Sequence, residues 1–169
     1  MAAEDGYARA PNATDEFHEL IQPLLSDAFG LAFSILRDRQ AAEDAVQEAA
    51  IKAWRGISSL RQSQSPKPWF LAIVANQSRD FLRRSQRAVW SSLNEIVEPR
   101  VEDHADGVSR DLDLERALMR LSPQQRGLLY LRYKVDLPPT EIANVLHWRV
   151  GTVKSRLHRT LRQLEADSP

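Results

Sequence analysis

Apolar residues in this chain recur at every third or fourth position and nowhere alternate, which is the period of a helix turning about every 3.6 residues and not of a strand. Residues 15–36 carry the pattern in Phe17, Leu20, Ile21, Leu24, Leu25, Ala28, Phe29, Leu31, Ala32, Ile35 and Leu36. Their second half is apolar almost all round, so this stretch should be a buried helix. Asp38 is placed to cap a second helix bearing Ala42, Ala45, Val46, Ala49, Ala53 and Trp54, and Gly56 marks its stop. "SSLRQSQSPKP" reads as a loop by composition, and the period then resumes through Phe70, Ile73, Val74, Gln77, Phe81 and Leu82. Trp54, Trp69 and Phe70 are expected in the core, as aromatics at helical spacing usually are.

From about residue 86 to 111 the period fails, and "EPRVEDHADGVSRD" is acidic with Pro99 and Gly107. Such a segment reads as a flexible linker able to hold two domains tens of ångströms apart. A short helix is then predicted near 111–120. Ser122, Pro123 and Gln125 supply a cap, a first-turn proline and a third-position amide for the next helix, which runs to about Lys134. Pro138, Pro139 and Thr140 open a helix with Ile142, Ala143, Val145 and Leu146, and a last helix carries Val150, Val153, Leu157, Leu161 and Leu164. The expected architecture is all-α, with two small helical domains joined by a flexible linker. Its parts are an acidic tail over 1–14, a domain over 15–88, the linker over 89–111 and a domain over 112–169.

With 169 residues, 43% of them hydrophobic, the chain has enough apolar surface for packed cores. Its net charge of zero conceals blocks. Residues 1–50 sum to −7, residues 51–95 to +6, residues 96–117 to −4 and residues 118–169 to +5. Two basic blocks, each behind an acidic one, suggest two surfaces that attract polyanions, although ordinary solvated helix faces would carry the same charge. The absence of cysteine excludes disulfides and thiolate metal sites. The start lacks the basic and apolar segments of a secretory signal, and no apolar run is expected to reach the roughly 20 residues that span a bilayer. A cytoplasmic protein without membrane insertion is the expectation. His18, His104, His147 and His158 have no ligand spacing, and neither a phosphate-binding glycine loop nor a Ser, His and Asp arrangement stands out. No catalytic residue, metal or cofactor is therefore expected.

"TEIANVL", a short turn and "VGTVKSRLHRTLRQL" form a helix-turn-helix pattern. Val153, Leu157 and Leu161 pin the second helix to its domain, which frees the opposite face for a major groove. Gly151, Thr152 and Ser155 are small enough to permit close approach, and Lys154, Arg156 and Arg159 can reach phosphates or the acceptor edge of guanine.

"LSPQQRGLLYLRY…TEIANVL…VGTVKSRLHRTLRQL" resembles the fourth conserved region of bacterial sigma factors, above all the extracytoplasmic-function (ECF) class of the sigma-70 family. "AEDAVQEAAIKAW" followed by "PWFLAIVANQSRDFLRR" resembles their second region, in the expected order. The resemblance implies a transcription initiation factor that binds core RNA polymerase, recognises the minus-35 and minus-10 promoter elements and promotes DNA opening. The alternative is a sigma-like mimic that titrates an anti-sigma factor without initiating. Asp44, Gln47 and Glu48 match the motif that docks on the β′ clamp helices; the β flap, promoter DNA and an anti-sigma factor are further implied partners. Asn76, Arg79, Arg83 and Arg84 lie on or near the helix implied to capture the minus-10 strand, with the loop Ser58–Lys67 holding a flipped base. Thr152, Lys154, Ser155, Arg156, His158 and Arg159 are implied to meet the minus-35 element, Arg156 nearer phosphate. The resemblance departs at the turn, where His147, Trp148 and Arg149 replace a usual glycine. A positive φ there would be strained, and Trp148 and Arg149 stand open between packing and DNA contact.

Overall fold

Pro23 interrupts the first helical stretch, because its ring nitrogen has no hydrogen to donate to a carbonyl one turn back. In the computed structural model, which describes residues 13–60, 64–91 and 109–167, the stretch splits there. Helix α1 (Ala13–Leu20) passes through a 3-10 turn (Gln22–Leu24) into α2 (Leu25–Leu36). Then come α3 (Arg39–Gly56), a second 3-10 turn (Ile57–Ser59), α4 (Pro66–Ser91), α5 (Ser109–Met119), α6 (Pro123–Tyr133), α7 (Pro139–Leu146) and α8 (Val150–Asp167). Most of the acidic tail and of the linker lies outside the described residues.

The predicted caps form. The Asp38 carboxylate accepts from the Ala41 N–H at 2.6 Å. Ser122 and Gln125 close a reciprocal capping box around Pro123 at the start of α6. In α3 the buried stripe is made of Ala42, Ala45, Ala49 and Ala53, small side chains that let it lie close against α2 and α4. Trp54, expected in the core, is 49% exposed. It follows Ala53 by one residue, about 100° around the helix, and so points away from the stripe. Phe70 is fully buried and Trp69 packs partly buried against the core, as expected.

Two helical domains are present, α1–α4 and α5–α8, and they touch. Helix α2 packs on α3 and α4 and equally on α6, while α4 packs on α7. One cluster of buried residues runs from Ile21 through Leu31, Ile35 and Val74 to Leu128, Leu131, Ile142 and Val153. The separation that the linker's length allows is thus not the arrangement found. The wide apolar face of α2 has its explanation here, since it belongs to the core of both domains.

The segment Thr14–Leu36 is, by length and composition alone, apolar enough to cross a membrane, with a mean hydropathy of 1.3. The expectation that no such run exists is therefore corrected. The 3-10 turn interrupts the segment, and Ala28, Leu31, Ala32 and Ile35 are covered by neighbouring helices.

Two glycines sit inside helices at the α2–α6 crossing. A Cβ on Gly127 would lie 3.0 Å from Ile35 Cγ1, and one on Gly30 would lie 2.8 Å from Tyr130 Cε2 and closer still to Cζ and Oη. Each glycine costs about 1 kcal/mol of helix stability relative to alanine. The compensation is the close approach of the two helices.

The alanine stripe yields a direct test. Ala49→Leu should lower stability by about 1–3 kcal/mol through overpacking, while Gln47→Leu on the exposed side of the same helix should stay within about 0.5 kcal/mol; urea unfolding of both variants reads the difference.

Candidate polymerase and promoter interface

Asp44, Gln47 and Glu48 fall on one side of α3, at the three- and four-residue spacings that bring helix side chains together. Asp44 accepts from the Gln40 amide at 3.1 Å, and Gln47 is exposed. Glu48 is turned towards α4 instead of outwards. Its Oε2 accepts from Gln77 Nε2 at 2.6 Å and lies 3.5 Å from Arg84 Nη2. The other end of the Gln77 amide accepts from Lys52, so a side chain only 1% exposed has both of its polar ends satisfied. Ile51 and Trp54 extend this side of α3 as exposed apolar residues.

On α4, Asn76, Arg79 and Arg83 recur at three and four and share a side, whereas Arg84 lies on another. Asn76 Nδ2 is 3.4 Å from His147 Nε2, and Arg79 Nη2 donates to the Leu146 carbonyl at 3.2 Å. Burial lowers the Arg79 pKa, and the Arg83 charge lowers it further, against an opposing pull from Asp80. Arg83 pairs with Asp80 and is exposed, while Arg84 is held over the Phe81 ring at 5.0 Å. The four candidates are therefore not one set: α7 covers Asn76 and Arg79, and Arg83 and Arg84 stay outside. In the loop, Ser58 and Ser59 are exposed, Lys67 is tied to Asp27 at 2.9 Å, and residues 61–63 lie outside the described residues.

The turn between α7 and α8 answers the question of the absent glycine. His147 itself adopts the left-handed conformation, with φ 55° and ψ 42°, and the Trp148 N–H closes the turn on Ala143 O at 3.0 Å. Histidine enters this region more readily than most side chains, so the turn keeps its form at a cost in strain. Trp148 is a packing residue: it lies against the core with the Arg156 guanidinium 4.3 Å from its ring centroid. Arg156 also reaches Gln124 Oε1 at 3.4 Å, so it leans back over the turn. Lys154, Ser155, His158 and Arg159 are exposed, Thr152 is half-buried, and Gly151 faces open space. Val153 and Thr160 are buried beneath them, Thr160 bonding the Arg156 carbonyl at 2.8 Å.

A cleft of about 440 Å³ separates α4 from the α6 start and the turn, lined in part by Arg79, Leu82, Arg83, Pro123, Leu146 and Trp148. Beside it, Arg126 Nε donates to Ser34 O at 2.7 Å and Nη2 to Ile35 O at 3.0 Å, with Nη1 on Leu121 O. Burial lowers its pKa, and the nearby Arg37 charge does so further. Arg37 is itself paired with Glu115 at 3.1 Å. Tyr130, facing Gly30, has its pKa raised by burial and then by the Asp27 charge. Sequence reasoning passed over Arg126 and both glycines, and counted Gln77 only as a member of the helical period. Isolated glycines within helical runs were the readable signal, since they commonly mark a close approach.

Of the two helical domains, one presents a polar-faced α3 and the other a basic helix-turn-helix. The sequence matches Sigma-70 region 2 over residues 20–88 and Sigma-70, region 4 over residues 111–164. It is 33% identical over 138 residues to the RNA polymerase sigma factor SigV of Bacillus subtilis, covering 80% of this chain and 81% of that one. It is 32% identical over 128 residues to the ECF RNA polymerase sigma factor SigM of Mycobacterium tuberculosis, covering 76% and 64% respectively. Among solved structures, the sigma factor RpoE of Bartonella quintana in complex with the anti-sigma factor NepR superposes with a TM-score of 0.77 at 27% identity, over 90% of this chain and 96% of that one. CnrH in complex with the cytosolic domain of CnrY shares the fold, at a TM-score of 0.65 and 22% identity over 92% and 88%. The chain belongs to the sigma-70 family of RNA polymerase sigma factors, and within it to the ECF class.

His147 gives this subsection its test. His147→Gly should raise stability by about 1 kcal/mol by relieving the left-handed strain, read as an upward shift of the thermal midpoint.

Proposed function

We propose that this sigma factor initiates transcription by holding core RNA polymerase through α3 and reading two promoter elements through α8 and α4. The observation that carries this reading is the pair of surfaces in one chain: an exposed polar α3 side, and an α8 whose cations project from a helix anchored by Val153 and Thr160. Asp44, Gln47 and Glu48 supply acceptors for basic groups on the β′ clamp helices, Glu48 with its rotamer set by Gln77. Lys154, Ser155, His158 and Arg159 face the minus-35 major groove, with Thr152 at its edge. Arg156, leaning over Trp148, serves a phosphate beside that groove. Asn76, Arg79, Arg83 and Arg84 take the minus-10 strand, where cations hold the backbone and contacts to unstacked bases offset the cost of unpairing. The β flap engages the second domain. An anti-sigma factor is a further partner, and the working compartment is the cytoplasm. We assign no catalytic residue, metal or cofactor.

Reconstitution with core polymerase and a promoter library tests the reading. Specific initiation supports it; core binding without specific initiation would turn the protein into a mimic that titrates an anti-sigma factor. On a promoter so identified, Arg159→Ala should cost about 1–3 kcal/mol of binding if it meets a base, whereas Lys154→Ala should weaken all sequences alike and flatten the salt dependence by about one unit if it meets only phosphate. Competition binding at several salt concentrations separates the two behaviours.

A further inference from the structure

Glu48 and Lys52 stand four residues apart on α3, carboxylate first, which is the spacing and order in which a helix closes its own ion pair. They do not pair directly. The side chain of Gln77 reaches across from α4 and lies between them: Nε2 donates to Glu48 Oε2 at 2.6 Å, and Oε1 accepts from Lys52 Nζ. A lysine can only donate and a carboxylate can only accept, so the amide fits in one orientation alone. Gln77 is buried, while Lys52 is exposed and Glu48 partly so. Water therefore reaches both charged groups, and neither needs the amide for its own solvation. An apolar side chain of the same shape in place of Gln77 would be nearly neutral for the fold, or even stabilising, because it would spare the cost of burying an amide. Stability alone does not explain a glutamine at this place.

We propose that Gln77 is a positioning residue for polymerase binding: its buried amide keeps Lys52 off Glu48, so that the carboxylate stays open to basic groups on core polymerase. This rests on the reading of Glu48 as a core contact. Gln77 donates to the carboxylate without carrying a charge, so it fixes the rotamer and leaves the negative charge in place. Its contacts with Gln77 and with Arg84 are both made by Oε2, which leaves Oε1 for the partner. Without the amide, Lys52 would close the pair that the helix spacing favours. An incoming cation would then have to displace a lysine tethered to the same helix, which competes at a high effective concentration. Arg84 is a lesser rival, because its guanidinium is held over the Phe81 ring and stands 3.5 Å from the carboxylate.

Gln77→Met in the full chain keeps the length of the side chain and removes both polar ends. Its thermal midpoint should stay unchanged or rise, yet equilibrium competition should show binding to core RNA polymerase weakened about three- to tenfold. A merely structural role for Gln77 predicts the two readouts falling together. Adding Lys52→Met should recover most of the lost affinity, a larger gain than Lys52→Met brings to the chain that keeps the amide. A crystal structure of the Gln77→Met chain should show Lys52 Nζ paired with the Glu48 carboxylate. Where the buried methionine prevents folding, Gln77→Asn is one methylene too short to span both groups and serves the same comparisons. A Gln77 variant that binds core like the unaltered chain, equal effects of Lys52→Met with and without the amide, or a lysine that stays off Glu48 in the variant structure would each overturn the proposal. Core affinity unchanged by Glu48→Ala would instead count against the reading of Glu48 as a core contact, leaving the crystal structure to judge what the amide holds apart.

Discussion

Burial of α2 is the constraint on which the rest of this structure depends. A helix of twelve residues in which only Ser26, Asp27, Gly30 and Ser34 are not apolar has an apolar face too wide for one neighbour to cover. Here α3 and α4 cover part of it and α6 covers the remainder, so the two domains are joined by a shared core and not only by the segment between them. Both glycines, the Arg126 fork and the contact of α7 with α4 follow from that crossing.

The same geometry orders the functional surfaces. The polar side of α3 and the outer side of α8 point away from the crossing and stay exposed, while the side of α4 bearing Asn76 and Arg79 is turned into it. Many of the cations assigned to nucleic acid already have a protein partner: Arg79 a carbonyl, Arg83 and Arg84 carboxylates, Arg156 an indole ring. Exposed pairs such as Arg83 with Asp80 are worth little, about 0–1 kcal/mol, and phosphates displace them readily. The Arg79 contact is different in kind, because it is half-buried and its acceptor is a backbone carbonyl of another helix.

Much of this was legible in the residues. The helices, the Asp38 cap, the Ser122 capping box and the stop at Gly56 are local, and local chemistry suffices to place them. The helix-turn-helix was readable because Val153 and Leu157 mark an inner face and leave the basic face outside. Trp54 went astray because periodicity counts apolar residues without weighing them, and the alanine stripe one position away was the true inner face. Glu48 was placed on the right helix, but its hydrogen bond to Gln77 joins residues 29 apart in sequence. Closure escaped the sequence for the same reason. A pattern tells which face is apolar and not which partner covers it, and Gly30 and Gly127 become meaningful only when seen opposite one another's helices.

Hydrogen exchange of the free chain under rising denaturant tests the shared core most directly, since it reports the opening free energy of each helix separately. If α2 serves both domains, the slowest amides of α2 and α6 should merge into one cooperative opening of equal free energy. Amides of α6 that open independently, several kcal/mol below those of α2, would contradict it and return the molecule to two domains that merely neighbour each other.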